Sequence, residues 1–394
     1  MAESTERVIV VGGGIGGLSA ANALARQGIP VSVYEQAPEL KEVGAGIQVW
    51  VNGMKAAHRI GVGEALRAAS GQMEWMHFRS YRGPVIVTSP VGELARRYGA
   101  PFPVMIPRPE LLRCLGEHLP PGTLTLGQTC VGCEQDPDGV TVRFSGGSSE
   151  RASLVVAGDG INSVIRRSRF GEVTPRFAGY QYLRALVPYD KPGFDRNTFT
   201  FTFGPGDRFG SGDVGQGSIY WFAVLLTKRG EQDGPEGRKG ELRRRFAQFG
   251  GPVRDIIEST PDEGILRHDI FDIKPLPRWT EGRVLLIGDA AHAPTPNLGR
   301  GASEAMEDGW RLGERLASVT ALKDRPQLTR ALADFEAERR PATSLIQNRA
   351  WRIGKLAGWA HPMAVRARET IMGPRFAGKE MLKDMEREFA AYAL

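Results

Sequence analysis

Residues 8–17 decide the fold of this chain, and they read VIVVGGGIGG. The β-branched residues at the start predict a short buried strand, and the glycines that follow match the pattern G-x-G-x-x-G. Residues 18–27 then have the composition of a helix. In such a unit the glycines permit a tight turn and a close approach to a pyrophosphate, while the helix N-terminus supplies free N–H groups. The residues that we expect to contact a dinucleotide are Gly12, Gly14, Ile15 and Gly17.

An acidic residue follows at the distance that this unit requires. A second predicted strand, residues 30–34, ends at Glu35, which lies 18 residues after Gly17. A carboxylate at this point accepts hydrogen bonds from the ribose hydroxyls of an adenosine and would repel a 2′-phosphate. The site therefore suits FAD or NAD better than NADP, and the motif by itself does not distinguish FAD from NAD.

The composition is that of a globular protein with two or three domains or layers. Of its 394 residues 41% are hydrophobic and 24% are charged, and the net charge of +6 is spread along the chain, which argues against a nucleic-acid partner. Because no apolar run could span a membrane and no signal-peptide pattern is present, we expect a cytoplasmic location. Cys130 and Cys133 lack the second cysteine pair of a zinc site, so we expect no bound metal.

The hydrophobic pattern changes along the chain. Residues 1–70, 105–175 and 270–350 alternate short β-rich runs with glycine turns and amphipathic helices, which is typical of a doubly wound α/β domain. Aromatic, Thr and Val residues alternate with polar ones over residues 180–222, which predicts an antiparallel sheet. The predicted organisation is a nucleotide-binding domain over residues 1–75, 101–177 and 270–350, a substrate domain over residues 76–100 and 178–269, and a C-terminal helical segment over residues 351–394.

A second glycine pattern occurs in the predicted sheet. Residues 210–215 again match G-x-G-x-x-G, but residues 218–222, which follow, have the composition of a strand. Without a helix N-terminus no dipole faces a phosphate, so we interpret residues 210–215 as a hairpin turn. The chain then contains a single dinucleotide fold, and a pyridine nucleotide would bind only transiently.

Two more strand-and-turn motifs follow the first one in order. They are LVVAGDG at residues 154–160 and RVLLIGDAAH at residues 283–292. With these motifs the chain resembles the group A flavoprotein monooxygenases, which include hydroxybenzoate, salicylate and urate hydroxylases and zeaxanthin epoxidase. The resemblance extends to residues 335–341, FEAERRP. It implies an α/β fold with a Rossmann-like FAD-binding domain of discontinuous segments, an inserted antiparallel β-sheet and C-terminal helices. It also implies tightly but non-covalently bound FAD, with NAD(P)H as a transient co-substrate.

The resemblance assigns roles to individual residues. It implies that Glu35 and the first glycine motif bind the ADP half of FAD, that Asp159 serves the pyrophosphate and the pyridine nucleotide, and that Asp289 binds the ribityl chain. Arg108 matches a family arginine that reaches the pyrophosphate or ribityl region, and a surface ion pair is its alternative role. For Asp289 the alternative is a helix N-cap before Ala290.

A loop at residues 294–301, PTPNLGRG, precedes a predicted helix. We expect backbone N–H groups near Leu298 and Gly299 to face the pyrimidine edge of the flavin, where negative charge accumulates on reduction. The family usually has Gln at the position of Arg300. This arginine either adds positive potential at the flavin or points to solvent.

The chemistry that the resemblance implies needs a shielded pocket. NAD(P)H would reduce the flavin, dioxygen would form a flavin hydroperoxide, and the distal oxygen would pass to an electron-rich carbon, which requires an apolar site. Aromatic residues of the predicted sheet are candidates for its wall. Strand alternation puts Tyr220 and Phe222 on one face and Trp221 on the other. The remaining candidates are Phe201, Phe203 and Phe209.

The predicted catalytic residues are Arg208, Tyr220, Pro296 and Asn297. No histidine lies between His118 and His268, so the base that phenol hydroxylases often use in the sheet is missing. Urate hydroxylase has Asp where this chain has Asn297, and because an amide cannot act as a general base, urate is a doubtful substrate. We expect hydroxylation of a small aromatic or heteroaromatic ring that is already activated, with Arg208 and Arg184 as partners of its anion, or epoxidation of a polyene-like substrate.

Two other functions would use the same motifs. One is an FAD-dependent dehydrogenase or oxidase, and the other is a non-catalytic protein that holds FAD or a pigment. A flavin halogenase is disfavoured because the signature W-x-W-x-I-P does not occur in the sequence. We expect the chain to act as a monomer or a homodimer.

Overall fold

The structure is a computed structural model that describes residues 6–40, 46–373 and 377–394. Residues 1–5 and 41–45 of the predicted nucleotide-binding domain, and residues 374–376 of the predicted C-terminal segment, lie outside the described residues.

The strands are β1 (Val8–Val11), β2 (Val31–Tyr34), β3 (Gly46–Val49), β4 (Gly71–Gln72), β5 (Trp75–Ser80), β6 (Val85–Ser89), β7 (Val104–Pro107), β8 (Leu124–Thr125), β9 (Cys130–Gln135), β10 (Val140–Phe144), β11 (Ser149–Ala152), β12 (Leu154–Ala157), β13 (Arg176–Pro188), β14 (Thr198–Phe203), β15 (Arg208–Gly215), β16 (Ser218–Leu226), β17 (Leu266–Asp272), β18 (Thr280–Glu281) and β19 (Val284–Leu286).

The helices are α1 (Ile15–Arg26), α2 (Val51–Arg59), α3 (Gly63–Ala68), α4 (Val91–Tyr98), α5 (Arg108–Glu117), α6 (Val164–Phe170), α7 (Gly237–Arg245), α8 (Val253–Ser259), α9 (Asp289–His292), α10 (Gly301–Leu316), α11 (Arg325–Ala357), α12 (Pro362–Met372) and α13 (Ala377–Ala391), with short 3₁₀ helices at Asp262–Gly264 and Pro296–Leu298.

The first strand lies inside a six-stranded sheet with the order β18-β19-β12-β1-β2-β8. β1 pairs in parallel with β12 on one side and with β2 on the other, and β12 pairs in parallel with β19. All four residues of β1 are buried, as in a parallel sheet that is covered on both faces. This sheet confirms the predicted Rossmann-like α/β fold, since its strands come from separate stretches of the chain.

The second large sheet has seven strands in the order β17-β13-β16-β15-β14-β5-β6. β13 to β16 pair antiparallel with their neighbours, and β5 joins β14 in parallel. Its strands come from residues 75–89 and 176–272. The predicted antiparallel sheet is therefore confirmed, and β17 is its edge strand.

A small three-stranded sheet with the order β3-β7-β4 packs against the seven-stranded sheet. β7 and β4 contact β15, and β3 contacts β16. The side of the seven-stranded sheet that faces β3 and β7 is called the inner face below. It carries Tyr180, Tyr182, Arg184, Phe199, Phe201, Phe203, Arg208, Gly210, Gly212, Tyr220 and Phe222.

Helix α10 packs closely on α1. A Cβ added at Gly309 would lie 2.5 Å from the backbone nitrogen of Ala20, so the backbones of the two helices touch. Helix α11 continues to Ala357, and residue 350, the last residue of the predicted nucleotide-binding domain, lies inside it. The division into domains stays a prediction. Within the described residues, no helix combines the length and the hydropathy that crossing a bilayer requires.

The prediction of a hairpin turn at residues 210–215 is wrong in position. These residues belong to β15, and the turn to β16 lies at residues 215–217, all of which have positive φ. Gly210 and Gly212 are glycines for another reason: a Cβ at Gly210 would collide with the ring of Phe222, and a Cβ at Gly212 would lie 2.5 Å from Sδ of Met105. The glycines therefore make room for side chains on the inner face.

Candidate active site

The first glycine motif forms the turn between β1 and α1. Gly12 has φ +104°, and a Cβ at this position would collide with the backbone oxygen of Gly158 at the end of β12. Around the position of a Cβ on Gly14, by contrast, there is no heavy atom within 4 Å among the described residues. The turn thus packs tightly against the end of β12 at Gly12, whereas space remains beside Gly14 at the N-terminus of α1. An FAD pyrophosphate fits this opening, because the first N–H groups of a helix are free to bind an anion.

Glu35 lies beside this turn at the end of β2. One carboxylate oxygen accepts a hydrogen bond from the backbone nitrogen of Gly13 at 2.6 Å, and the other accepts from the nitrogen of Ala37 at 2.8 Å. These bonds hold the carboxylate against the glycine turn. Each oxygen keeps a lone pair for a ribose hydroxyl, so the geometry suits the predicted role.

Asp159 follows β12 and contacts the start of α6. Its Oδ2 accepts from the backbone nitrogens of Val164 at 2.8 Å and Ile165 at 3.2 Å. Its Oδ1 is buried and has no hydrogen-bond partner among the described residues, and burial raises the pKa of this carboxyl. Asp159 therefore holds α6 in place with one oxygen and has the other available for a ligand.

Asp289 and Arg108 both begin helices that follow strands. Gly288, which has φ +55°, is the N-cap of α9, and Asp289 is an exposed residue of the first turn, so the alternative that Asp289 caps this helix is wrong. Arg108 is half-buried at the start of α5, directly after β7. Their predicted contacts with the ribityl chain and the FAD phosphates stay predictions.

The loop that we expected to face the flavin contains the 3₁₀ helix Pro296–Leu298 and ends at Gly299, which has φ +64°. The N–H of Gly299 donates to the carbonyl of Pro296 at 3.0 Å, and a contact of this group with the flavin stays a prediction. The N–H of Leu298 stays a predicted contact. Gln48 of β3 packs against the loop, since a Cβ on Gly299 would lie 2.6 Å from Oε1 of Gln48.

Arg300 does not point to solvent. Its side chain is buried and forms ion pairs with Glu304 at 2.9 Å and with Glu388 of α13. Burial alone would lower the pKa of Arg300, but the two carboxylates raise it. The alternative that Arg300 points to solvent is therefore wrong, because its side chain is largely buried and pairs with two carboxylates. The alternative that it adds positive potential at the flavin stays a prediction.

Arg208 is fully buried on the inner face. One guanidinium nitrogen donates to Oδ1 of Asn297 at 2.8 Å, and the group lies 4.9 Å from the ring centre of Tyr180. Its Nε and its other terminal nitrogen have no hydrogen-bond partner among the described residues. The guanidinium thus offers two donors to a ligand.

Asn297 joins three parts of the molecule. Besides accepting from Arg208, its amide nitrogen lies within hydrogen-bonding distance of the hydroxyl of Tyr180 at 2.7 Å, the hydroxyl of Thr295 at 2.9 Å and the carbonyl of Ala350 at 3.0 Å. Both amide hydrogens are therefore used within the protein. Asn297 therefore positions Arg208. Its predicted role in catalysis would be exerted through this hydrogen bond.

Aromatic rings line the inner face. Tyr182 stacks on Phe222 with ring centres 5.2 Å apart and planes 5° apart, and Tyr220 hydrogen-bonds with Arg184. Tyr220 and Phe222 lie on this face as expected, whereas Trp221 lies behind the sheet. Phe209 also lies behind it, stacked on Trp221 at 5.4 Å, so this candidate for the pocket wall is not on the inner face. The reason is the alternation of β15, which puts Arg208 and Gly210 on the inner face and Phe209 on the other.

Two histidines do occur in the sheet, contrary to our interpretation. His77 lies in β5 opposite Thr200, on the side away from the inner face. His268 lies in the edge strand β17, directly opposite Tyr182 of β13. Burial, with a smaller contribution from the nearby Arg184, lowers the pKa of His268 below its ordinary value. Its side chain is exposed, so it lies at the margin of the inner face rather than beside Arg208.

The sequence reasoning missed a buried charge cluster between α9, α10 and α11. Nε2 of His292 lies 2.6 Å from Asp308, and Arg339 donates to Asp308 at 2.8 Å. Burial would lower the pKa of His292, but Asp308 raises it; burial would raise the pKa of Asp308, but His292 and Arg339 lower it. The signal was the group of acidic residues at positions 304, 307 and 308, in which the last two follow the first by three and four residues, among small and apolar residues in the first half of α10. The cluster consists of His292, Glu304, Glu307, Asp308 and Arg339.

Two further expectations concern metal and thiol chemistry. Cys130 and Cys133 are buried in β9, and burial raises the pKa of each thiol to about 11. In the described parts of the chain, no group of three or more His, Cys, Asp or Glu side chains is placed to hold a metal ion.

Known proteins resemble this chain over nearly its whole length. The FAD binding domain family matches residues 5–350. An aurachin C monooxygenase/isomerase of Stigmatella aurantiaca is 36% identical over 365 residues, which cover 93% of each chain. An FAD-dependent urate hydroxylase of Klebsiella pneumoniae is 35% identical over 84% of this chain and 85% of its own.

The fold agrees with a solved relative. The crystal structure of Klebsiella pneumoniae HpxO complexed with FAD and uric acid superposes with a TM-score of 0.90 at 30% identity, over 99% of this chain and 98% of that one. The open glycine turn, the placement of Glu35 and the partnerless oxygen of Asp159 fit the same cofactor. The chain belongs to the FAD binding domain family and is an FAD-dependent monooxygenase.

Proposed function

We propose that this enzyme hydroxylates a flat aromatic or heteroaromatic ring that carries an anionic oxygen, and that it consumes NAD(P)H and dioxygen. The observation that carries the proposal is Arg208, a fully buried guanidinium with two donors that no described residue satisfies. A buried donor without a partner costs about 1–3 kcal/mol, and more for a charged group. A substrate oxygen with negative charge would satisfy both donors.

The surroundings of Arg208 leave its charge uncompensated. Arg368 is also fully buried nearby, and its hydrogen bonds within the described residues all go to backbone carbonyls, those of Ala357 at 2.8 Å and Gly204 at 3.0 Å among them. Burial lowers the pKa of Arg368, and the charge of Arg208 contributes. Arg184, on the same face, bonds to the neutral hydroxyl of Tyr220. The resulting positive potential favours an anionic ligand.

The aromatic side chains of the inner face suit a flat ring. Phe222 is only half-buried although its neighbours Tyr182 and Phe201 are buried, so part of its surface is open. Stacked and edge-on contacts with such rings favour an aromatic substrate over a saturated one. We favour hydroxylation over epoxidation because a neutral alkene would leave Arg208 without a partner.

The names of several relatives point to the same class. They refer to urate, to 3-amino-4-hydroxybenzoate and to 6-hydroxynicotinate. All three compounds are small rings with acidic oxygens. We infer a substrate of this class whose ring needs no further deprotonation. Urate itself is disfavoured because urate hydroxylase has Asp where this chain has Asn297, and an amide cannot remove a proton.

In the proposed mechanism, the protein binds an activated ring and keeps water away. When FAD is bound, it would supply the redox chemistry, because it can accept electrons from NAD(P)H and react with dioxygen. Arg208 holds the substrate as an oxyanion, which raises the electron density of the ring and makes a general base at position 297 unnecessary. Asn297 and Tyr180 fix the guanidinium, and the aromatic wall excludes water from the reacting carbon.

The test is a labelling experiment on the FAD-loaded enzyme. Oxidation of NADH and of NADPH is followed with a panel of hydroxylated benzoates, pyridines and quinolines, while hydrogen peroxide and products are quantified under ¹⁸O₂. We expect substrate-stimulated oxidation and one ¹⁸O atom in the product. Turnover that never labels the product would identify a dehydrogenase or oxidase instead, and a protein that holds FAD without any turnover would refute the proposal.

A further inference from the structure

Arg300 is held by a carboxylate from the far end of the chain. It is the N-cap residue of α10 and comes directly after the loop that ends at Gly299. Glu304, one turn along α10, accepts from one terminal nitrogen at 2.9 Å, and Glu388 of α13 accepts from the other. The C-terminal helix therefore reaches the loop that we expect to face the flavin.

Glu388 is itself fixed. Its second oxygen accepts a hydrogen bond from the indole nitrogen of Trp50 at 2.9 Å, and Trp50 is the N-cap residue of α2. The neighbouring Phe389 is fully buried and packs edge-on against Trp50, with ring centres 5.7 Å apart. A carboxylate anchored in this way cannot turn away from Arg300 without breaking a second bond.

Glu304 contacts two arginines. One of its oxygens accepts from Arg339 at 2.8 Å, and the other accepts from Asn52 at 3.1 Å as well as from Arg300. Arg339 has two further carboxylate partners in the buried charge cluster. Glu388 is the second carboxylate that contacts Arg300.

We propose that Glu388 is a positioning residue that, through Arg300, sets the electrostatic potential at the flavin-facing end of α10. The inference rests on the proposed function and on the FAD orientation predicted from the sequence, with the pyrimidine edge toward the backbone near Leu298 and Gly299. Reduction places negative charge on this edge, which the N-terminus of α10 and Arg300 both stabilise. Glu388 offsets part of that stabilisation, so α13 makes bound FAD harder to reduce.

The test is the midpoint potential of FAD in the holoenzyme, measured by dye equilibration without substrate at constant pH and ionic strength. Glu388→Gln removes one negative charge and is expected to shift the potential to a more positive value. Glu386→Gln is the matched control, because Glu386 lies on the same helix but pairs with Arg97 at the surface at 3.3 Å. The control is expected to keep the wild-type potential, and an unchanged potential in Glu388→Gln overturns the proposal.

The part played by Arg300 needs its own variants. Arg300→Gln is expected to shift the potential to a more negative value, and in that background Glu388→Gln is expected to have a smaller effect than in the wild type. An equal effect would show that Glu388 does not act through Arg300. A merely structural α13 would weaken FAD binding in all these variants without opposite shifts of the potential.

A loss of FAD in Glu388→Gln does not end the test. The double variant Arg300→Gln/Glu388→Gln has no unpaired cation at this place and is expected to retain FAD; if it also loses FAD, the contact is structural and the proposal is overturned. Because substrate is absent from these measurements, their failure leaves the hydroxylase proposal untouched, and the labelling experiment can fail without affecting them.

Discussion

Single residues of the inner face carry the substrate chemistry. Most of the other arginines of this chain form ion pairs with acidic side chains. The partners of Arg208 are instead the amide of Asn297 and the aromatic ring of Tyr180. Its burial is tolerable only if a ligand completes its hydrogen bonds. The residue type and the strand position were predictable from the sequence, whereas the missing partners became visible only in three dimensions.

Arg208→Gln should impair turnover without impairing FAD binding. Gln retains a donor for Asn297 but has no charge for the substrate oxyanion, and the loss of a charged hydrogen bond of about 1.5–3 kcal/mol corresponds to a decrease in kcat/KM of about 10- to 100-fold. Steady-state kinetics with the best substrate of the panel measure this decrease. Arg143→Gln, at an exposed ion pair with Glu134, is the control and should behave as wild type. Unchanged kinetics in Arg208→Gln would remove Arg208 from the pocket.

Asp289→Ala should weaken the retention of FAD. The exposed carboxylate at the start of α9 is the predicted partner of the ribityl hydroxyls, and a hydrogen bond to a charged group is worth about 1.5–3 kcal/mol, or about 10- to 100-fold in Kd. Fluorescence titration of the FAD-free protein measures the affinity. Asp138→Ala, at another exposed position, should leave the affinity unchanged. Full flavin occupancy in the variant would contradict the assigned role.

At the scale of elements, the predictions succeeded where the requirement was local. The strand, turn and helix from β1 to α1 were readable because the glycine pattern, the helical composition and the acidic residue at position 35 all lie within residues 8–35, although the atom that excludes a Cβ at Gly12 belongs to Gly158. Residues 210–215 were misread because Gly210 and Gly212 make room for the side chains of Phe222 and Met105 and do not form a turn. The acidic face of α10 was missed because its partners come from α9 and α11.

The pairing of α9 with α10 predicts a pH-dependent stability. The pKa of His292 is raised above 6.5 in the folded protein, so the stabilisation by its charge is fully present below pH 6.5 and is lost as the pH rises through the folded pKa. The pKa of Asp308 is lowered below 3.8, so the contribution of its charge is present above pH 3.8 and is lost only as the pH falls through the lower folded pKa.

Urea unfolding of the wild type and of His292→Gln at several pH values measures this effect. The difference in the free energy of unfolding between the wild type and His292→Gln should be largest between pH 3.8 and pH 6.5. It should decrease as the pH rises above 6.5. Asp308→Asn should abolish the same pH dependence, because it removes the charge that raises the pKa of His292. A difference that stays constant from pH 6 to pH 9 would contradict the pairing of charges.

At the scale of the whole molecule, the predicted cofactor site is assembled from segments that are far apart in the sequence. The glycine turn, Asp159 and Asp289 follow the strands β1, β12 and β19 of one sheet, and Asn297 of the loop at residues 296–299 contacts Arg208 of the inner face. The order of the motifs in the sequence identified this assembly. The contact between Arg300 and Glu388 was beyond prediction, because nothing local to either residue specifies a partner 88 positions away.

This assembly predicts that FAD stabilises the entire chain. A ligand that binds only the folded state adds about 2.7 kcal/mol of stability at a concentration 100 times its Kd, and here it bridges segments that are far apart in sequence. Calorimetry should therefore show a lower Tm after removal of FAD and full recovery when excess FAD is restored. FMN is the matched control, since it lacks the adenosine half that the glycine turn and Glu35 are predicted to bind, and it should restore little of the Tm. Equal stabilisation by FMN and FAD would show that the first glycine motif does not carry the binding energy.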